Sequence, residues 1–558
     1  MIMKNIISEN AIILLALLLM IGCSESYLEE QPPHIITGES LYTNSEGFEI
    51  GLNGLYALVR MEREGRSTSG GDRAADRLRA EMFISGTDNM CTNHRDGWGR
   101  VAEPWGDMNN PFNAEIEGNF EWLYEIVNAA NTLIERAQDS DVDWGSSSDN
   151  KNRIVGEAKA LRAWAYRHLT FTWGDVPLTL EESKGSNIKT DWERIPVSQV
   201  REQMKSDLLF AEEYVGVEPS QQGRITKGAV QTYLAELYLT LNKPDSALIY
   251  ADKCISTPNY QLVTSRYGVK LSQPGVPFMD MFYDGNSNRE EGNTEALWVW
   301  QWEKETIGGG GSIMRRWHTS RYNDIKIGGV TPLEVTVERG GRPRARMSLT
   351  KFAIDLYEPQ DDRFSNYVLR KFFILKDADE NDTGTADVLP SGYDYGDTIW
   401  LDWSEPITYE TRMRLDWPFL RKYEWADPLD VLGSYQYNDQ VYMRLAETYL
   451  LKAEAQYKLD DLPGAATTLN IIRQRSNASS ISPEDVTLDF ILDERSRELA
   501  LEEHRRHTLL RTGKWLERTR LYNLNGGQNI VERDTVLPIP QNVIDANLTK
   551  PMSQNPGY

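Results

Sequence analysis

Apolar residues recur every three or four positions over several long stretches of the chain, which is the spacing of one buried helix face. Two of the predicted helix pairs carry alanines at close-packing positions and turn at a short segment that contains proline. This pattern is typical of tetratricopeptide-like repeats, which stack into a continuous core. The predicted helices begin near Ser45, cover 120–137 and 151–172, begin again at Val197, and form the pairs 226–242 with 245–256 and 442–459 with 465–475.

The stretch 257–435 has a different pattern, made of short apolar runs, turns and glycine clusters. It holds eight of the sixteen tryptophans. Trp298, Trp300 and Trp302 alternate with other residues as on one face of a strand, and this face is expected to belong to the core. The fold class predicted is therefore mainly α: a helical-repeat scaffold formed by 45–256 and 436–558, which carries an irregular, aromatic-rich insert at 257–435.

The amino end predicts export and a lipid anchor. Residues 11–22 are uncharged and rich in leucine, but twelve helical residues reach only about 18 Å, too short to cross a bilayer of about 30 Å. Residues 1–22 are therefore predicted to be a signal peptide. Gly22-Cys23 directly after the apolar run resembles the lipobox of bacterial lipoproteins, so Cys23 is the predicted acylated residue, and 23–44 a lipid-anchored tether. The alternative is ordinary secretion.

Composition narrows the class of partner. The 84 Asp and Glu outnumber the 60 Lys and Arg, which gives a formal net charge of −24 and argues against nucleic acid. Besides Cys23, only Cys91 and Cys254 remain, and the sequence leaves open whether they are paired. Without a disulfide framework, the fold must depend on a packed core.

Five segments in the order found here resemble the SusD/RagB family of Bacteroidetes nutrient-uptake lipoproteins. They are GEAKALRAWAYRHLTFTWGDVPL (156–178), GRITKGAVQTYLAELYL (223–239), YMRLAETYLLKAEAQYKL (442–459), ERSRELALEEHRRHTLLRTGKW (494–515) and LPIPQNVIDANLTKPMSQNPGY (537–558). The resemblance implies a SusD-like fold with four tetratricopeptide-like units, anchored on the extracellular face of the outer membrane. It also implies a SusC-like TonB-dependent β-barrel transporter as partner, and capture of an oligosaccharide, or of a peptide, for import.

A first candidate ligand site lies in the segment 86–105. Sugar rings stack on indoles and need polar side chains around their rims, and this segment offers Asn93, Asp96, Trp98 and Trp105. The family resemblance places a ligand-facing loop in this region, which favours Trp98. The alternative is that both tryptophans pack the loop onto the scaffold.

A second candidate follows the glycine cluster 308–311. Arg316, Trp317, Arg321 and Tyr322 combine aromatic rings with positive charge in an acidic protein. Arginine forks bind carboxylate or sulfate groups, so an acidic glycan is one hypothesis. The other is that the arginines pair with the protein's own carboxylates. Trp98 and Trp317 are predicted to share one concave face.

Signals for catalysis or for a cofactor are weak. His504 and His507 lie three residues apart, but spacing implies no third metal ligand, and the glycine cluster lacks the lysine of a phosphate-binding loop. No catalytic residue, metal or cofactor is predicted. The function favoured is non-catalytic binding and delivery of a glycan, and the alternatives are a surface glycan-degrading enzyme or a peptide-binding lipoprotein of the same fold.

Overall fold

The computed structural model describes residues 38–65, 78–94, 97–103, 105–106, 108–145, 149–404 and 412–558. Within these ranges eleven α-helices have seven or more residues. They are α1 Ser45–Arg60, α2 Ala114–Arg136, α3 Asp149–Trp173, α4 Val197–Tyr214, α5 Lys227–Thr240, α6 Pro244–Ile255, α7 Leu445–Lys458, α8 Leu462–Arg475, α9 Leu488–Leu499, α10 Arg505–Arg511 and α11 Trp515–Tyr522. All the helices predicted from periodicity are present, with bounds that differ by a few residues.

Shorter helices occur mainly in the connections. They are Gly38–Leu41, Glu81–Ile84, Gly99–Ala102, Pro277–Asp280, Met314–His318, Lys351–Asp355 and Gln541–Asp545. Among the described helices, none is both long enough and apolar enough to cross a membrane.

Side-chain caps explain where several of the long helices begin. The Asn44 carboxamide accepts a hydrogen bond from the Gly47 N–H at 3.0 Å before α1, and the Thr226 hydroxyl accepts one from Ala229 before α5. Asp461 does the same for Gly464 before α8. Each cap satisfies an N–H that has no partner inside the helix, so these residues fix the helix starts locally.

The scaffold is continuous across the two ends of the chain. Helix α3 packs against α2 and α4, and α6 packs against both α5 and α7, so the two predicted helix pairs meet at α6 and α7. Their contact contains small side chains, including Ala247, Ala251 and Ala455, which let the helices approach closely. The pairing is consistent with tetratricopeptide-like stacking.

Eight short strands form four antiparallel pairs in the described residues. The pairs are β1 Met90–Thr92 with β3 Met347–Leu349, β2 Ala296–Trp300 with β8 Gln440–Arg444, β4 Leu369–Arg370 with β7 Phe419–Leu420, and β5 Phe372–Ile374 with β6 Thr398–Trp400. The pairs β1–β3 and β2–β8 each join the insert to the helical scaffold.

One boundary predicted from periodicity is wrong. Tyr442, Met443 and Arg444 belong to strand β8 and not to helix α7, because β8 pairs with β2 and places Met443 opposite Trp298. The Tyr442 ring stacks on Trp300 with centroids 3.9 Å apart. Trp298, Trp300 and Trp302 are all buried, which confirms the prediction that they belong to the core, although strand β2 ends at Trp300.

Ion pairs inside the protein connect the insert to helix α9. Arg444 is fully buried and donates to Glu295, Glu498 and Glu502 at 2.5, 2.8 and 2.6 Å. Charges in a core are tolerated only when they are paired. The insert and helix α9 must therefore meet in an arrangement that keeps Arg444 next to these three carboxylates.

The two cysteines of the described residues are free thiols. Cys91 and Cys254 are both buried and lie in separate core clusters. Burial raises the pKa of Cys91 to about 12 and that of Cys254 to about 11. Both therefore stay protonated at neutral pH and behave as small apolar side chains.

Candidate functional site

A cavity of about 410 Å³, the arginine cavity, lies where the insert meets the loop that follows strand β1. Its volume falls within the range of about 300–1,000 Å³ that is usual for small-ligand sites. The lining residues are His94, Arg316, Arg321, Asn323, Asp324, Arg342, Pro343, Arg344, Arg346 and Arg414. Six of these ten described residues are arginines, so this part of the lining is strongly polar.

Backbone hydrogen bonds join the two main walls of the arginine cavity. The N–H groups of Arg344 and Ala345 both donate to the Arg316 carbonyl, at 2.9 and 3.2 Å, and the N–H of Arg346 donates to the Trp317 carbonyl at 2.6 Å. Ala345 has a φ of +56°, in the left-handed region that residues other than glycine seldom adopt. The surrounding contacts impose this conformation and so fix where Arg344 and Arg346 leave the backbone.

Contacts with other parts of the chain orient the side chains of the lining. Arg321 forms an ion pair with Asp324, and Arg316 donates to the Ser434 hydroxyl. Arg346 donates to Nδ1 of His94, which leaves the His94 proton on Nε2 if the ring is neutral. These contacts therefore hold the guanidinium groups of Arg316, Arg321 and Arg346 in defined positions.

Two buried side chains support the loop that carries Arg342. Arg315 donates to the carbonyls of Gly340 and Arg342 at 2.6 and 3.0 Å, and the Tyr322 hydroxyl donates to Gly341 at 3.0 Å. Burial lowers the pKa of Arg315 to about 10 and raises that of Tyr322. Tyr322 was predicted to contact the ligand, but its side chain is fully buried and supports the wall from behind.

The three tryptophans predicted as ligand contacts are in the core. Trp98, Trp105 and Trp317 are 2%, 4% and 1% exposed. Trp98, Trp105 and Trp515 form a series of edge-to-face contacts with centroids 5.8 and 5.6 Å apart. The Trp317 Nε1–H donates to Glu81 Oε2 at 2.9 Å. The prediction that Trp98 and Trp317 lie on one concave face is therefore wrong, because core side chains cover both rings, and Trp105 is covered in the same way.

The remaining predicted residues fall into three groups. Arg316 and Arg321 both line the arginine cavity, so their contact with a ligand stays a prediction that the geometry allows. Asn93 is buried, and its backbone N–H donates to the Arg346 carbonyl at 2.9 Å, which makes it part of the support for the cavity. Asp96 and Cys23 lie outside the described residues.

Several lining residues were missed by the sequence analysis although the sequence contains a signal for them. The segment RGGRPRAR (339–346) carries four arginines in eight residues, in a chain with a large acidic excess. Arg342, Arg344 and Arg346 from this segment line the cavity, whereas Arg339 is buried and pairs with Asp387 at 2.6 Å. The local density of arginine was thus informative. Only the fold shows that three of these arginines line the cavity and that Arg339 does not.

A second cavity, of about 210 Å³, has a more apolar lining that includes Phe352, Trp417 and Tyr522. The rings of Phe352 and Tyr522 are stacked, with centroids 3.6 Å apart, and both are partly exposed. Aromatic faces of this kind can stack on other ring systems.

Three histidines meet in the core and form the histidine cluster, which consists of His168, His504 and His507. One nitrogen from each lies within 4.8 Å of the others, so the fold supplies the third histidine that sequence spacing did not imply. His504 accepts from Arg167 Nη1 at 2.8 Å and contacts Glu62 Oε1 at 2.7 Å. Burial lowers the pKa of all three rings. The adjacent guanidinium group opposes a cation here, and the cluster is best described as neutral core.

Comparisons with known proteins cover nearly the whole chain. A model described as the SusD family matches residues 284–558, and one described as "Starch-binding associating with outer membrane" matches residues 51–239. A SusD-like protein of Formosa agariphila is 24% identical over 99% of both chains. The starch-binding protein SusD of Bacteroides thetaiotaomicron is 35% identical over a stretch that covers 23% of each chain.

Solved structures have the same fold. A laminarin-binding SusD-like protein matches with a TM-score of 0.66 and 22% identity, over 93% of this chain and all of that one. The surface glycan-binding protein A of Bacteroides thetaiotaomicron, solved with laminarihexaose, has a TM-score of 0.66 and 19% identity over 92% of this chain and all of that one. The matches extend across both helical parts and the insert, and the chain belongs to the SusD/RagB family.

Proposed function

We propose that this protein is a non-catalytic surface lipoprotein that binds an oligosaccharide and delivers it to a SusC-like TonB-dependent transporter. The observation that carries the proposal is the arginine cavity: a family member with a rigid helical scaffold gathers polar side chains from distant segments around a space of ligand size. Binding residues commonly lie on loops that a rigid scaffold positions, as here.

The relatives that share this fold support a carbohydrate as the ligand. Two of the matched structures are described as binding laminarin or laminarihexaose, and a matched relative is described as starch-binding. This chain shares their fold over more than nine tenths of its length in the two structural cases. A carbohydrate is therefore the ligand class that we carry over to this protein.

The described lining of the arginine cavity can be compared with the carboxyl pair that glycoside hydrolysis requires. Glycoside hydrolysis ordinarily needs two carboxyl groups, about 5–9.5 Å apart, on either side of the scissile bond. Among the described residues that line the cavity, Asp324 supplies the one carboxylate, and Arg321 pairs with it. Within the part of the chain that the structure describes, the lining therefore supplies one of these two carboxyl groups.

Binding can be tested with a soluble form that begins at Ser24. We expect native affinity gels and calorimetry to detect at least one polysaccharide from a panel that contains laminarin, starch, polygalacturonate and carrageenan. Reducing ends should not increase when the protein is incubated with any polysaccharide that it retains. Release of reducing ends would favour the enzyme alternative, and a peptide ligand without any glycan binding would refute the carbohydrate assignment.

Delivery can be tested in the native membrane. Mild detergent extraction should recover the protein together with a β-barrel transporter at equal stoichiometry, through an interface above about 2,000 Å², as in permanent complexes. Protease treatment of intact cells should reach the protein. Recovery as a monomer at native expression levels, or complete protection on intact cells, would count against delivery at the cell surface.

A further inference from the structure

The cavity of about 210 Å³, lined in part by Phe352, Trp417 and Tyr522, is called the aromatic cavity here. It lies where the carboxyl end of helix α11 meets the segment that follows strand β3. It shares no described lining residue with the arginine cavity. Its volume is below the range of about 300–1,000 Å³ that is usual for small-ligand sites, so it suits a single ring rather than a longer molecule.

Two helices fix the aromatic wall of this cavity. Thr350 caps the short helix Lys351–Asp355, because its hydroxyl accepts an N–H of the first turn at 3.2 Å, and this positions Phe352. Tyr522 is the last residue of α11, and its ring stacks on Phe352. The Arg518 guanidinium lies 5.1 Å from the Tyr522 ring and 5.3 Å from the Phe352 ring, which is cation–π geometry. The two partly exposed rings therefore form a fixed apolar surface before any ligand arrives.

The part of this lining that the structure describes carries no net charge. Its charged members are Lys351 and Asp355, which form an ion pair at 2.7 Å. Cys91 also lines the cavity, and its raised pKa keeps the thiol neutral. Leu521 and Leu524 are 60% and 42% exposed and add apolar surface beside the rings. A neutral ligand with an apolar face matches this lining better than an ion does, because an ion loses hydration against apolar walls.

Asn525 gives the cavity a polar group that is poorly satisfied within the protein. The side chain is 4% exposed, and its Oδ1 has no hydrogen-bond partner among the described residues. Its Nδ2 donates to the Thr92 carbonyl and to Met413 Sδ at 3.4 Å each, and to Cys91 Sγ at 3.6 Å. A long contact to a carbonyl and two contacts to sulfur are weak, so the carboxamide can turn toward the cavity at little cost. A buried amide oxygen without a partner requires a donor, and a ligand hydroxyl supplies one.

From these observations we propose that the aromatic cavity is a second carbohydrate site, which binds one neutral sugar ring independently of the arginine cavity. The apolar C–H face of the sugar stacks on the rings of Phe352 and Tyr522. One hydroxyl of the sugar donates to Asn525 Oδ1, and others reach the ion pair of Lys351 and Asp355. This goes beyond the proposed function, which requires only one site.

Titration with short neutral glycans tests the site. The soluble protein that begins at Ser24 is titrated by calorimetry with laminarihexaose, maltohexaose, xylohexaose and mannohexaose. We expect at least one of them to bind, with an affinity that stays within about twofold between low and high sodium chloride, because a neutral ligand offers salt no charge to screen.

Variants of Tyr522 assign that binding to the aromatic cavity. The ring is partly exposed, so Tyr522→Ala should fold, and it is expected to weaken one binding event by about tenfold or more. Tyr522→Phe keeps the ring and should bind within about threefold of the unaltered protein. Tyr395→Ala, at a tyrosine that is 42% exposed and does not line the described cavity, is the matched control and should bind normally.

Asn525→Leu separates binding from stability. It removes the carboxamide but keeps a side chain of similar size. The midpoint of unfolding in guanidinium chloride should not fall, because the carboxamide is poorly satisfied in the folded protein. Affinity for the neutral glycan should nevertheless fall by about fivefold or more, since the ligand loses its acceptor.

The outcomes separate this proposal from the proposed function. Weaker neutral-glycan binding in both Tyr522→Ala and Asn525→Leu, with normal binding in the control, supports the second site. If a neutral glycan binds and both variants leave its affinity unchanged, the second site is refuted and the proposed function stands. The same holds if only polygalacturonate or carrageenan is retained. If no glycan is bound, both fail. If Tyr522→Ala binds glycans normally but no longer co-purifies with a transporter, the cavity is a protein contact and the sugar site is refuted.

Discussion

Replacement of Trp317 tests whether its indole is a ligand platform or part of the core. The ring is 1% exposed, packs in the core of the insert and donates Nε1–H to Glu81. Trp317→Ala should therefore lower the free energy of unfolding by about 3–5 kcal/mol, the range for large aromatic residues truncated in a core. Trp317→Phe keeps most of the apolar volume and loses the hydrogen bond to a carboxylate, so about 1–3 kcal/mol is expected.

Trp400 provides a control for the same truncation at the surface. It is 62% exposed and contacts Phe372, with ring centroids 4.8 Å apart. Trp400→Ala should change the free energy of unfolding by about 0.5 kcal/mol or less. Unfolding in guanidinium chloride, followed by circular dichroism, gives the midpoint and slope from which each difference is obtained.

Binding measurements on the folded variants complete the test. If the core assignment is correct, Trp317→Phe should bind the retained polysaccharide within about threefold of the unaltered protein. The reasoning would be refuted if Trp317→Ala were as stable as the unaltered protein and lost binding by tenfold or more. That result would mean that the indole faces the ligand.

Three further predictions concern the core and the anchor. Burial holds the pKa values of the three rings of the histidine cluster below those of the unfolded chain. The unfolded chain therefore binds more protons below about pH 6.5, so the free energy of unfolding should fall as the pH is lowered, by at most about 1.4 kcal/mol per histidine and pH unit. This fall, measured by urea unfolding, should be smaller in His507→Gln. If His507→Gln showed the same pH dependence as the unaltered protein, this would contradict the burial of His507 in its neutral form. Arg444→Ala should lower the free energy of unfolding by about 3–5 kcal/mol, because it removes a cation that pairs with three buried carboxylates. A decrease of less than about 1 kcal/mol in the same assay would contradict the importance of these ion pairs. Cys23→Ala should abolish fatty-acid labelling and release the protein from the membrane fraction, and continued labelling would refute acylation at this residue.

The helices are the part of the fold that local sequence predicted best. An apolar face repeats along each long helix. Capping residues such as Asn44 and Thr226 act on N–H groups only three positions further along the chain, so helix starts also depend on local sequence. The strand at Tyr442–Arg444 was missed because its partner Ala296–Trp300 lies far away in sequence. Pairing between distant strands leaves no periodicity of its own in so short a segment.

The candidate site, too, was predicted only in part from the sequence. Trp98 and Trp317 looked like ligand contacts because they stand among polar residues, but exposure depends on what the rest of the chain places over them. Composition fixed the acidic character of the whole protein, and the run 339–346 marked a basic segment. The sequence by itself thus determined the helical scaffold and the family resemblance. Only the tertiary structure decided which tryptophans are core and which arginines meet, because both depend on contacts between residues that are distant in sequence.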